Sequence, residues 1–315
     1  MDSRFRGSDK ITGFSAPLES DARKSGKLMA AYLEPIINGI LLGGLYGVVG
    51  IGLSVVFGIM RQVNLAHGEY MILSGYFSLL FLQLLGVHPL LTLFLVFPLM
   101  FFVGYAIQIF LFNRVMQKQM EPFLMVSFGL SIILQNALLL IFTPDAQALK
   151  TGLVIKSVNV FDLFNVPLIY IINFSVGLLV LGLLHQFMKR TYLGWAIHAS
   201  SEDLSGAKLM GINPKKIYAV AMGIAAVTAA VSGVLIGMTF TFYPHSGTQY
   251  LIIAFGVVII GGLGSLPGTF LGGIILGISQ LVGGRIIGPG FQLLSGYIIL
   301  LVVLTIRPQG LLGRR

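Results

Sequence analysis

The stretch KRTYLGWAIHASSEDLSGAKLMGINPKK, Lys189–Lys216, decides how the rest of this chain is read. It holds five Lys or Arg and two acids between two halves built almost wholly from Leu, Ile, Val, Phe, Gly and Ala. Within it, Glu202–Met210 has helical spacing, with Leu204, Ala207 and Leu209 as its apolar contacts. Ser201 is placed to cap the start, and Glu202 and Asp203 suit the positive end of a helix. Lys208 suits the negative end, and Gly211 a C-terminal cap. Pro214 then reads as a first-turn residue of the next helix. The expected product is a short amphipathic helix between two stiff turns. Such a helix either lies on anionic lipid or carries a push between a partner and the helices around it.

The flanking sequence is membrane sequence. Hydrophobic residues make up 56% of the 315 and charged residues 10%, against roughly 25% charged in soluble domains. Mean hydropathy is +0.92. Pro35–Met60, Tyr70–Asn113, Leu163–Met188, Ile217–Gly284 and Ile286–Ile306 each lack Asp, Glu, Lys and Arg. A spanning helix needs roughly 20 such residues, and the runs are too continuous for barrel strands. The fold class is therefore all-α, a polytopic transmembrane bundle of eight or nine segments, some broken or re-entrant. Residues 31–315 read as one membrane domain, with the loop at 189–216 facing the cytoplasm. Residues 1–30 are polar and of mixed charge, and read as a disordered or non-native tail, with Met29 an alternative start.

The net charge of +9 sits in short loops and termini. Positive-inside bias explains it better than nucleic acid does. Arg114 and Lys118, Lys189 and Arg190, and Arg307, Arg314 and Arg315 mark inner ends. The segment from Pro35 carries Gly39, Gly43 and Gly47 at every fourth position, a face for close helix packing. Ala229, Gly233 and Gly237 repeat the pattern. Gly261, Gly262, Gly264 and Gly268 punctuate GGLGSLPG, and the apolar run before it is short for a full crossing. Residues 143–166 read as the largest outer loop, with a small hairpin.

Polar groups in the apolar runs are the candidates for a translocation path: Asn38, Asn64, His67, Glu69, Ser74 and Gln249. The junction RQVNLAHGEYM at 61–71 is either a wet interfacial turn or a broken helix at membrane depth, where a titratable group is costly and tends to be functional. Asn64, Ser74 and Gln249 also suit packing or helix capping.

Four stretches together resemble one family. These are the loop EDLSGAKLMGIN, NGILLGGLYGVVGIGLSVVFGIMRQVNLAHGEYMILSGY at 38–76, GVVIIGGLGSLPGTFLGG at 256–273, and RPQGLLG at 307–313. They look like the permease subunits of bacterial ABC importers for branched-chain amino acids, over essentially all of 31–313. The resemblance implies a multi-pass protein of the inner membrane. It also implies cytoplasmic ATPase subunits, a second permease subunit forming a heterodimer, and a periplasmic substrate-binding protein as partners. By resemblance, Glu202, Asp203, Leu204, Ala207, Leu209 and Gly211 form the coupling helix that docks on the ATPase. The chain departs from the family pattern at Trp195, His198 and Gly206, which weakens a residue-level map of that contact.

The sequence has no Gly-rich loop followed by Lys and Ser or Thr, so ATP is expected to be used by partner subunits. No carboxylate pair, nucleophile constellation or metal-ligand spacing is present, so the chain reads as a transport subunit with no bound cofactor. An importer of urea or short amides has the same architecture and is the alternative. A proton-coupled carrier would need an acidic relay, for which Glu69 alone is a thin basis.

Overall fold

The structure, a computed structural model, describes residues 16–115, 120–153, 155–160 and 164–313, with side chains from Tyr32 onward except at Met120. Residues 1–15 of the expected tail, Lys118, Arg314 and Arg315 lie outside the described residues. The described backbone is nearly all helix. It comprises α1 (Ala16–Met60), α2 (His67–Leu85), α3 (Pro89–Ile107), α4 (Asn113–Val115), α5 (Met120–Phe142), α6 (Leu168–Arg190), α7 (Tyr192–Glu202), α8 (Leu204–Leu209), α9 (Pro214–Thr239), α10 (Gly247–Gly261), α11 (Leu266–Ile286) and α12 (Gln292–Ile306). Residues 16–30, read from the sequence as tail, continue the helix of α1. A π-helical turn, Gln108–Phe112, joins α3 to α4. The expected outer hairpin is present, with β1 (Ser157–Val160) antiparallel to β2 (Phe164–Pro167).

Eight described helices are long and apolar enough to cross a membrane, and Gly247–Gly261 is a shorter apolar ninth. Hydrophobicity does not sort their faces, because lipid and protein core are equally apolar. Small residues sort them. A Cβ on Gly39 would fall 2.6 Å from Ile278 Cα, and one on Gly43 2.8 Å from the Gly273 carbonyl oxygen. From the other side, Cβ atoms on Gly273 and Gly277 would fall 2.8 and 2.9 Å from Gly47 Cα and Gly43 Cα. Thus α1 and α11 touch backbone to backbone along the whole glycine stripe. Gly44 lies equally close to Phe174 of α6, so α1 is enclosed on two sides. α1 and α9 are the most buried spans, while α5 and α12 expose apolar side chains such as Phe128, Ile133, Leu140, Leu301 and Ile306 as a lipid-facing shell does.

The helix ends assign the two faces. Gly58 and Arg61 at the end of α1, Met188 and Lys189 at the end of α6, Ile197 and His198 of α7, Leu263–Pro267 and Leu312 line one cavity of about 760 Å³. Arg61, Lys189 and Arg190 lie at this end, which positive-inside bias makes the cytoplasmic one. α1 therefore runs from the outer to the inner face, and the hairpin lies on the opposite side.

Two segments are broken part-way through the bundle. After Met60 the chain turns at Arg61, in the left-handed region at φ 51. It then runs back along α1, and α2 begins only where His67 packs against Gly52. Gly52 is about 12 Å above Met60 at 1.5 Å per residue. α10 starts at the same depth, because Gly68 of α2 packs on the Gly247 carbonyl. Its 15 residues rise about 22 Å, short of the roughly 30 Å hydrocarbon core. The chain reaches that start by descending through 240–246, where Phe242 exchanges backbone hydrogen bonds of 2.9 Å with Gln147 of the outer loop. α2 rises from this level and α10 descends from it.

Candidate coupling surface and intramembrane polar core

The loop at 189–216 folds through local capping, as its residue types predict, but in two helices rather than one. Thr191 opens α7, its hydroxyl accepting from Gly194 N at 3.0 Å. Asp203 opens α8, its carboxylate accepting from Ser205 N at 2.9 Å. The expected cap at Ser201 is corrected: its hydroxyl donates to the His198 carbonyl at 2.8 Å, and Glu202 closes α7 rather than opening α8. The reason is that Asp203 adopts extended backbone between the two helices, which frees its carboxylate to reach forward.

Gly211 ends α8 at φ +81. Gly211 N donates to the Lys208 carbonyl and Ile212 N to the Ala207 carbonyl, each at 3.0 Å. These are the two bonds of a Schellman motif, which needs a left-handed residue where Gly211 stands. Asn213 then caps α9, accepting from Lys215 N at 3.1 Å, with Pro214 in the first turn. One turn thus separates α8 from α9, one of the two most buried spans, and hydrogen bonds from Met210 N, Gly211 N and Ile212 N hold it to α8. Of the expected apolar contacts only Ala207 is buried. Leu204 is exposed, and Leu209 is 88% exposed beside Met210 at 82%. An uncovered apolar tip at the inner face is the surface a partner would cover.

The GGLGSLPG and RPQGLLG stretches meet at this face. Leu311 N and Leu312 N donate to the carbonyls of Ile260 and Gly261, at 2.9 and 3.0 Å. The C-terminal segment at 307–313 therefore caps the last turn of α10, whose carbonyls have no partner within the helix. A Cβ on Gly310 would fall 2.5 Å from Gly262 N, and both glycines have positive φ, +76 and +105. Gly264 (φ +79) packs on Gly58. Gly261 and Gly268 lie against one another's backbone, closing the α10–α11 turn.

In the bundle interior, Asn64, His67 and Glu69 are 0–1% exposed, so the wet interfacial reading of 61–71 does not hold. The broken segments enclose them. Asn64 accepts from Ala66 N at 2.9 Å, a side-chain turn that leads into α2. The Glu69 carboxylate lies against Gly247, the first residue of α10, and accepts a 3.4 Å hydrogen bond from Ser131 of α5. A carboxylate suits a helix N-terminus, and Glu69 occupies two at once, its own and that of α10. Ser74 donates to the Met71 carbonyl at 2.6 Å and faces Gly233, whose lack of a side chain makes the room. Asn38 is buried near the outer end of α1, and Gln249 is exposed in the first turn of α10. The structure thus buries Asn64, His67, Glu69 and Ser74 in the bundle against different neighbouring helices, and leaves Asn38 and Gln249 apart from them. Sequence reasoning missed Gly247, the counterpart of Glu69, and Tyr46, which donates to Gln280 Oε1 at 2.7 Å between α1 and α11. A lone Gly after a turn carries no periodic signal.

The family description "Branched-chain amino acid transport system / permease component" matches residues 35–304. This chain belongs to that family. It is 32% identical over 300 residues to the high-affinity branched-chain amino acid transport system permease protein BraD of Pseudomonas aeruginosa, covering 90% of this chain and 96% of BraD. It is 29% identical over 295 residues to LivH of Escherichia coli K12, which bears the same description. LivM of that organism, also described as such a permease protein, matches at 27% over 150 residues. The chain is therefore a multi-pass membrane permease component, a transport subunit rather than an enzyme.

Proposed function

We propose that this permease moves branched-chain amino acids inward as one half of a membrane pair, driven by a separate ATPase that grips the α7–α8 loop. The single observation that carries this reading is the loop. Leu209 and Met210 stand uncovered at its tip, while Asp203, Gly211 and Asn213 fix both ends of α8. A displaced tip then moves α9 as a body instead of bending the chain. The companion subunit is inferred from the presence of two permease proteins, LivH and LivM, among the relatives. Leu, Ile and Val are zwitterions with apolar side chains, and a bundle whose lone interior carboxylate among the described residues is Glu69 suits them better than it suits a charged solute. We further place Glu69, His67 and Asn64 beside the path, at the level where α2 and α10 are interrupted; discontinuous helices mark substrate sites in other transporters.

Reconstitution with the companion permease, ATPases and binding protein tests it. Leucine-loaded binding protein should stimulate ATP hydrolysis and leucine uptake. Stimulation by a urea-loaded binding protein and not by leucine would replace the substrate class. Stimulation by neither would sink both.

A further inference from the structure

We propose that the notch between the inner ends of α3 and α9 is a binding site for the phosphate headgroup of an anionic phospholipid. The notch is lined by Ile109, Asn113, Arg114, Lys215 and Lys216 and encloses about 440 Å³. Three cations line it, and among the described residues the lining contains no carboxylate. Two of them, Lys215 and Lys216, occupy the first turn of α9. A helix N-terminus disfavours cations, and like charges this close repel. An anion in the notch relieves both costs.

The site is built by local structure. The π-helical turn Gln108–Phe112 adds a residue to the end of α3 and brings Asn113 round to α9. Asn113 Nδ2 donates to the Lys215 carbonyl at 3.3 Å, and Gln108 Nε2 donates to Asn113 Oδ1 at 3.1 Å. π-turns inside helices recur at functional positions. A lipid rather than free phosphate is favoured by the surroundings. Phe110, next to the lining residue Ile109, is 67% exposed, and Phe102 two turns above is 66% exposed. Exposed apolar side chains on the same helix leave acyl chains a surface to lie on. The headgroup would tie the end of α3 to the first turn of α9, and so brace the joint through which α8 moves α9.

The test uses the assembled transporter in lipid nanodiscs, with phosphatidylglycerol retention read by native mass spectrometry. That readout does not depend on the transported solute. The wild type should retain phosphatidylglycerol in preference to phosphatidylcholine. Lys215→Gln with Lys216→Gln should weaken retention roughly 30-fold, at about 5-fold for each charge. The paired Arg substitutions, which keep the charge, should retain it. Removing two other inner-face charges, Arg190→Gln with Arg307→Gln, should leave retention near the wild-type level, because neither lines the notch. Equal loss in that control would mean general surface charge and overturn the site. Millimolar inorganic phosphate that displaces bound phosphatidylglycerol but leaves ATPase activity as high as the lipid does would reassign the notch to a free anion.

Discussion

Replacing Gly43 by Ala adds one methyl group to the α1–α11 seam, and the structure sets its cost. That carbon would lie 2.8 Å from the Gly273 carbonyl oxygen and 2.9 Å from Ile274 N, and closer still to Ile274 Cα. All three are backbone atoms, so no rotamer change relieves the overlap. Carbon contacts are comfortable from about 3.5 Å, so the helices must part by roughly 1 Å. Both are stiff, and the gap spreads to Gly39 against Ile278 and Gly47 against Phe270. A gap of that size forfeits a quarter to a half of each dispersion contact, which with overpacking strain costs about 2–3 kcal/mol. Alanine returns up to ~1 kcal/mol of helix propensity. The net loss is about 1–2 kcal/mol. Gly182→Ala in α6 is the matched control, because nothing lies within 4 Å of its added carbon. It keeps the propensity gain of up to ~1 kcal/mol without the clash. Thermal unfolding in detergent should therefore move in opposite directions for the two variants. Equal stability of Gly43→Ala and Gly182→Ala would refute backbone contact between α1 and α11.

Four other outcomes follow from the same geometry. Gly233→Leu would drive a side chain into the Met71 carbonyl and the Ser74 hydroxyl, so the yield of folded protein should fall sharply; a normal yield would mean α9 does not pack there. Gly211→Val puts a β-branched residue at φ +81, at a cost of about 2 kcal/mol or more, and should abolish energised uptake while membrane insertion persists, as judged by surface labelling of the intact chain. Gly310→Ala meets both a positive φ and Gly262 N at 2.5 Å, and should free the C-terminal segment from α10, measured as faster amide exchange at Leu311 and Leu312. Met210→Cys in this cysteine-free chain should resist an impermeant thiol reagent on intact cells and react in inverted vesicles; labelling from outside would remove the motor from reach.

How much was legible in the sequence differs from element to element. The crossings were readable because runs such as Ile217–Gly284 carry no charge over lengths that only a bilayer accommodates. The inner loop at 189–216 was readable at Gly211 and Pro214, where a positive φ and a missing N–H restrict the residue type. It was misread at Ser201 and Glu202, because Ser201 and Asp203 both suit a cap and only the backbone between α7 and α8 chooses. The junction at Asn64–Glu69 was legible as unusual, yet its burial was not, since a polar cluster looks the same whether it faces water or a second broken helix.

The sequence by itself determined that this chain spans a membrane, where its inner loop lies, and which backbone turns stiffen that loop. These follow from interactions within a few residues or from composition over a single run. Only the tertiary structure decided that Glu69 meets the start of α10, that the C-terminal segment closes the end of α10, and that Asn64 and Ser74 pack against α9. These pairings join residues far apart along the chain, and in a lipid-embedded bundle no apolar stripe announces them, because the outward face of each helix is as apolar as the inward one.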